Sequence, residues 1–522
     1  MSRIITAAVT AIAVVSLAWA DPPPTDALPI TKLTPAKIIP NLCKVSYRIS
    51  TRVPECQAHF DQGLGYFYSY VWMEAARSFE TAARHDPDCA MAWWGLSRAL
   101  DEWRGGGNEA LKKAQALLPK CSDRERRLIT ARLQQKGLDG QLVADADRRR
   151  AATRTLDELI SLYDDDEEAW YARARLAGSD RPSYLSNDAA RVAEIPFYKA
   201  ILRINPLHPG ALHELVHIYE GTQRPALGWE HAERYIESSP GIPHAWHMQA
   251  HLAMRLGRWE RTTDRSIRAI ELEREYHRTY TVKPADDHQF DHHLETLTKG
   301  LVHDGRLREA RAIKDESWGY GYRHWDTWFR LHMAERDWDA VQSIVDAVRK
   351  SNKSKAAYFA ALSALTQNDP ERARPEVEVL RQSIILRKLN RQLEMNFWEA
   401  HGLLLCQTGS VDEGLKLLFR CVEKTKDDYS HHAWGQGAYY MEVWGQAALA
   451  ANRLDVAEEA FLEALAHDAG SVKAALGLQA LCERQGRAEE AARYAALARR
   501  FWRHAEVRHF DGLRAACNGS GE

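Results

Sequence analysis

From about Gln57 onward the chain repeats one local pattern: two amphipathic helices in succession, with small residues where the pair must approach closely. A helical hairpin of this kind cannot bury its apolar stripe alone. Such hairpins must stack, and the core then runs along the array instead of around one centre. Composition agrees. Ala, Leu, Arg and Glu dominate while β-branched runs are scarce, which is a helical bias. A chain of 522 residues also exceeds what one compact core holds. The expected class is all-α, an extended solenoid of helical hairpins.

The pattern resembles the tetratricopeptide repeat. Taking Pro87 as the proline that closes a unit puts Gly63, Tyr66, Ala75, Phe79 and Ala82 at the unit's small and aromatic positions. Two further units stand near the C-terminus, with Gly445, Ala457, Phe461 and Ala464 in one and Leu478, Gly486, Ala491 and Ala498 in the next. The opening Phe60-Asp-Gln-Gly-Leu64, with Glu74 to Phe79 and Asp86 to Gly95, and the histidine-rich centre together look like a group of exported bacterial repeat proteins. The resemblance implies TPR-like repeats over 41–178, His-rich repeats over 179–305, divergent hairpins over 306–390 and further repeats over 391–517. It also implies a concave groove lined by positions 2, 5, 9 and 12 of each unit, open to a protein or peptide partner.

Ahead of the repeats, Met1–Ala20 carries Arg3, an apolar run from Ile4 to Leu17 and a small-residue ending at Ala18-Trp19-Ala20. This reads as a secretory signal cleaved before Asp21, and so as a periplasmic or secreted protein with no stable membrane insertion afterwards. Residues 21–40 hold six prolines and read as an extended linker. The 70 basic and 72 acidic residues nearly cancel, which leaves no footprint for nucleic acid. Export would let the eight cysteines pair as sequence neighbours, Cys43 with Cys56, Cys89 with Cys121, Cys406 with Cys421 and Cys482 with Cys517. Buried free thiols are the alternative.

Twelve of the twenty-two histidines fall between 208 and 303. His213, His217 and Glu220 stand at i, i+4, i+7; His244, His247 and His251 stand at i, i+3, i+7; each set shares one helix face. In the repeat register a unit starting at Pro209 carries the first set at positions 5, 9 and 12. One starting at Pro243 carries the second at 2, 5 and 9. His288, His292 and Glu295 have the same helical spacing on what should be the next inner helix.

Neutral imidazoles with a carboxylate suit a divalent transition metal, zinc or copper first. His213, His217, His247 and His251 would make one four-ligand site, and Glu220, His244, His288 and His292 would allow a second metal. His213-Glu214-Leu-Val-His217 also matches the HExxH zincin pattern, in which Glu214 would be the general base. The longer metzincin pattern is broken at Glu220 and Gln223. Three functions follow: a metal-binding repeat protein, a metal-dependent hydrolase or oxidase at the same site, or a metal-free scaffold binding a peptide.

Overall fold

A computed structural model describes residues 26–140, 144–179, 191–222, 224–386, 390–426 and 437–518; the expected signal and the start of the proline-rich leader lie outside them. Every regular element among the described residues is a helix, and successive helices pack as hairpins into an array. The all-α solenoid is the observed fold.

The stacking rule is visible in two phenylalanines. Phe79 is fully buried, and a Cβ on Gly63 or Gly95 would lie 2.7 Å or 2.6 Å from its ring. Phe461 repeats the arrangement with Gly445 at 2.7 Å and Gly477 at 2.3 Å. In each case a ring from the second helix of one hairpin wedges between the first helices of that hairpin and the next. Glycine at both contacts leaves the room.

Six helices matter below: α1 (Pro54–Tyr68), α2 (Glu167–Ser179), α3 (Pro209–Gly221), α4 (Pro243–Arg255), α5 (Trp259–Tyr280) and α6 (Phe290–His303). Proline opens α1, α3 and α4, where its missing N–H is no loss. His208 caps α3 by accepting the Ala211 N–H at 3.1 Å.

The array closes on its own centre. The described part of the leader, 26–40, is extended and fastened along its length. Glu80 accepts the N–H groups of Ile30 at 2.6 Å and Thr31 at 2.7 Å, Gln62 accepts that of Ile39 at 2.9 Å, and Tyr280 donates to Lys37 O at 3.0 Å. Just beyond, Gly241 N donates to Leu42 O at 3.1 Å. The leader is therefore a strap between the first hairpin and the central repeats. From the other end, Trp259 Nε1 donates to Asp468 at 3.0 Å and Trp502 Nε1 to His303 O at 2.8 Å.

All eight cysteines are free thiols, so the neighbour pairings expected from the sequence are not made. Their sulfurs face other partners. Cys43 Sγ lies 3.2 Å from Ser239 Oγ, Cys406 points at Val411 O and Cys421 at Met395 O. Nearness in sequence does not aim two side chains at each other when each sits on its own helix face.

Candidate metal centre

Helices α3, α4 and α6 bring seven imidazoles into one contiguous cluster: His213, His217, His244, His247, His251, His292 and His293. Neighbouring rings are separated by 4.6 Å (213–217), 4.8 Å (213–244), 5.7 Å (244–247), 4.2 Å (247–251), 4.8 Å (247–292) and 3.8 Å (247–293). The cluster is not an open groove. The turn after α1 inserts Tyr70, whose ring stacks on His217 at 5.6 Å and meets His213 edge-on at 4.5 Å. His213, His244, His247, His251 and His293 are buried, and His217 and His292 are half-buried.

Within the cluster the nitrogens converge in two triads, His213 with His217 and His244, and His247 with His251 and His292; in each, one nitrogen per residue lies within 4.8 Å of the others. The expected four-residue set from α3 and α4 is not how the atoms group. Each helix pair at i, i+4 is kept, but its third member comes from the next helix.

The two triads differ in what stands behind them. His213 Nδ1 lies 2.5 Å from Tyr68 O, which can only accept, so the proton is on Nδ1 and the Nε2 lone pair faces inward. That lone pair lies 3.0 Å from His244 Nε2. Gln289 Nε2 donates to Ser69 O at 3.3 Å and to His244 Nδ1 at 3.2 Å, which places the His244 proton on Nε2. Two members of the first triad, His213 and His244, are thus joined by an N–H···N hydrogen bond.

The second triad holds a similar, longer N···N contact, and each triad keeps one imidazole outside it, His217 in the first and His247 in the second. Glu220 Oε1 lies 2.9 Å from His251 Nδ1, where a carboxylate favours the proton on that nitrogen, and His251 Nε2 lies 3.3 Å from His292 Nε2. His247 is buried with neither ring nitrogen hydrogen-bonded. Glu220, expected as a ligand, stands behind the imidazoles. Its second oxygen lies 3.5 Å from His217 Nδ1, and Arg255 is 3.5 Å away. A carboxylate on the outer nitrogen of a histidine is the usual orienting partner of a metal ligand.

Burial sets the charge state. It pushes His292 down to about 2, with His251 and His293 adding repulsion, and His293 to about 4. His247 is held well below its ordinary value by burial and then by the neighbouring imidazoles. His251 is lowered by burial against the pull of Glu220. These rings are neutral at pH 7, the form that ligates. Burial alone would raise Glu220, yet His251, His217 and Arg255 hold it well below the carboxylate range, so it is ionised.

Glu214 is used elsewhere. It accepts the hydroxyls of Tyr70 at 3.0 Å and Tyr171 at 2.9 Å and is ion-paired with Arg191 and, at 3.5 Å, with Arg175. Burial would raise its pKa, but the two guanidiniums bring it to about 2. Four partners occupy the lone pairs a general base would need. His288 lies in the exposed turn before α6, because the helix begins only at Phe290. Glu295 accepts Thr327 Oγ1 at 3.0 Å and pairs with Lys299 at 3.1 Å.

His293 was not among the expected residues. Reading α6 from Phe290 shows why it belongs: Phe290, His293, Leu294, Leu297 and Leu301 form its buried stripe. A third group, His332 with Glu335 and Asp337, is already neutralised by Arg311, 2.8 Å and 2.9 Å from the two carboxylates.

The sequence profile of the tetratricopeptide repeat matches residues 60–104 and 443–505. The chain carries tetratricopeptide repeats. The matched segments contain the two glycine–phenylalanine–glycine wedges described above, and such arrays present extended protein-binding surfaces. Among solved structures the chain is similar to the crystal structure of yeast Tom70, at 10% identity over 79% of this chain and 85% of that one, with a TM-score of 0.25. That likeness is too distant to transfer anything to this chain. No curated protein matches it.

Proposed function

We propose that this tetratricopeptide-repeat protein binds a divalent transition metal, zinc or copper, through His247, His251 and His292. One observation carries the reading: three neutral imidazoles converge, the two nitrogens of His247 have no other partner, and Glu220 orients His251 from behind. Metal–nitrogen bonds of about 2.0–2.1 Å in a tetrahedron require an N···N edge of about 3.4 Å. The His251–His292 separation of 3.3 Å meets it without rearrangement. Three histidines leave a fourth position for water or for a group presented by a partner, and His292 is the half-exposed member through which it would enter. The signal-like Met1–Ala20 supports an exported setting, where the repeat array would display this centre to a protein partner. No helix among the described residues is long and apolar enough to cross a membrane.

Metal analysis of the purified chain after exposure to Zn²⁺ or Cu²⁺ and desalting tests this. One equivalent is expected in the parent and none in His251→Ala with His292→Ala. Glu220→Gln should weaken affinity about 10- to 100-fold, the usual loss for an orienting carboxylate. Absence of stoichiometric metal in the parent, or full loading in the double variant, would overturn the assignment and leave the scaffold reading. A coordinated, exchangeable water would direct attention to hydrolysis or oxidation, with a base other than Glu214.

A further inference from the structure

Beside the histidine cluster lies a cavity of about 540 Å³, bounded by the leader strap at Lys37–Leu42 on one side and by α5 on the other. Its volume falls in the ~300–1,000 Å³ range of small-molecule sites. The wall is mainly apolar, with Leu42 and Leu272 beside the rings of Tyr66, Tyr276 and Tyr280. The hydroxyls of Tyr276 and Tyr280 are used on Glu74 and on Lys37 O, at 2.7 Å and 3.0 Å.

One polar group in this wall is left over. Glu273 is 2% exposed; its Oε1 lies 2.7 Å from His293 Nδ1, and its Oε2 is buried with no hydrogen-bond partner. The other charges at the cavity are either matched or at its exposed rim. Asp287 pairs with His277 at 2.9 Å and Arg268 with Glu271 at 3.0 Å, while Lys37 and Glu275 are exposed. Glu273 lines this aromatic and aliphatic chamber, and a buried carboxyl with an unmatched oxygen is best satisfied by a hydrogen-bond donor carrying positive charge. Tyrosine rings favour the same sign, because their faces attract cations.

We propose that this cavity binds a small organic amine, with its ammonium drawn to the Glu273 carboxyl group and its apolar or aromatic body against Leu42, Leu272 and the tyrosine rings. The site does not depend on the metal reading. Its wall also includes Glu273 and Gln289, which contact His293 and His244 of the cluster.

Titration calorimetry of the full chain in chelator, with tyramine as probe and 4-ethylphenol and phenylacetate as neutral and anionic counterparts, tests the proposal. The expected result is saturable one-to-one binding of tyramine, at least tenfold weaker for 4-ethylphenol and absent for phenylacetate. Glu273→Gln should cost tyramine at least tenfold, and Leu272→Trp, which fills the chamber, should abolish binding with helicity unchanged. Lack of saturable tyramine binding to the parent would overturn it, as would equal binding of the neutral compound. Should Glu273→Gln not fold, the comparison of the three probes on the parent decides. The chelator separates this outcome from that of the metal experiment.

Discussion

Replacing His247 by leucine separates a histidine kept for a ligand from one kept for the fold. His247 is 1% exposed, packed among the rings of His244, His251, His292 and His293, and neither of its nitrogens is hydrogen-bonded. Each unsatisfied buried polar atom costs about 1–3 kcal/mol. Leucine has nearly the same volume and removes both atoms, while imperfect shape costs up to about 1.5 kcal/mol. Taking the low end of that range for each atom and a shape cost below about 1 kcal/mol, the variant in chelator should be more stable than the parent by about 1–2 kcal/mol. Saturating metal reverses the order, because a ligand at a hundred times its Kd stabilises the parent by about 2.7 kcal/mol and cannot act on the variant. Hydrogen exchange across Pro243–Arg255, with and without Zn²⁺, reads both effects locally, where a repeat array need not unfold as one unit. Exchange there should slow about 5- to 30-fold in the variant in chelator. A variant that exchanges faster than the parent in chelator, together with a parent indifferent to metal, would refute the reasoning.

Three further outcomes follow. Asp468, raised to about 7 by burial, binds a proton in the folded state between about pH 4 and 7 that the unfolded chain has released, so its contribution to stability declines as pH rises through that window. Asp468→Asn should gain about 2–3 kcal/mol relative to the parent between pH 5 and 7, read from urea midpoints, and a pH-independent difference would contradict this. Gly477→Ala would put a methyl 2.3 Å from the Phe461 ring and should destabilise the C-terminal repeats by about 1–3 kcal/mol; Phe461→Leu should recover part of the loss in the thermal melt. Glu80→Ala removes the acceptor for Ile30 and Thr31, and limited proteolysis should then cut between residues 26 and 42 under conditions where the parent is intact.

The candidate site was partly legible before the structure. His213 with His217, and His247 with His251, are paired by the helical period alone, which needs only four residues of local sequence. His293 is not legible in the spacing, because where α6 begins is not set by local sequence. The i, i+4, i+7 spacing puts His288, His292 and Glu295 on one face, but the helix starts at Phe290, and His293 falls in line with Leu294, Leu297 and Leu301. Glu214 illustrates the opposite error. Its spacing in HExxH is correct, yet Arg175 and Arg191, remote in sequence, take its charge.

The sequence by itself determined what is local or periodic: helices, the hairpin repeat with its glycine–phenylalanine–glycine wedge, and the pairs of imidazoles on single helix faces. Only the tertiary structure decided which third imidazole completes each pair, which carboxylate stands behind it and which is consumed by arginine. It also decided that Tyr70 closes the groove over the cluster and that the leader straps the first hairpin to the centre. Helical periodicity orients a side chain about its own axis. The packing of one helix on another, which the array as a whole sets, selects the groups it meets.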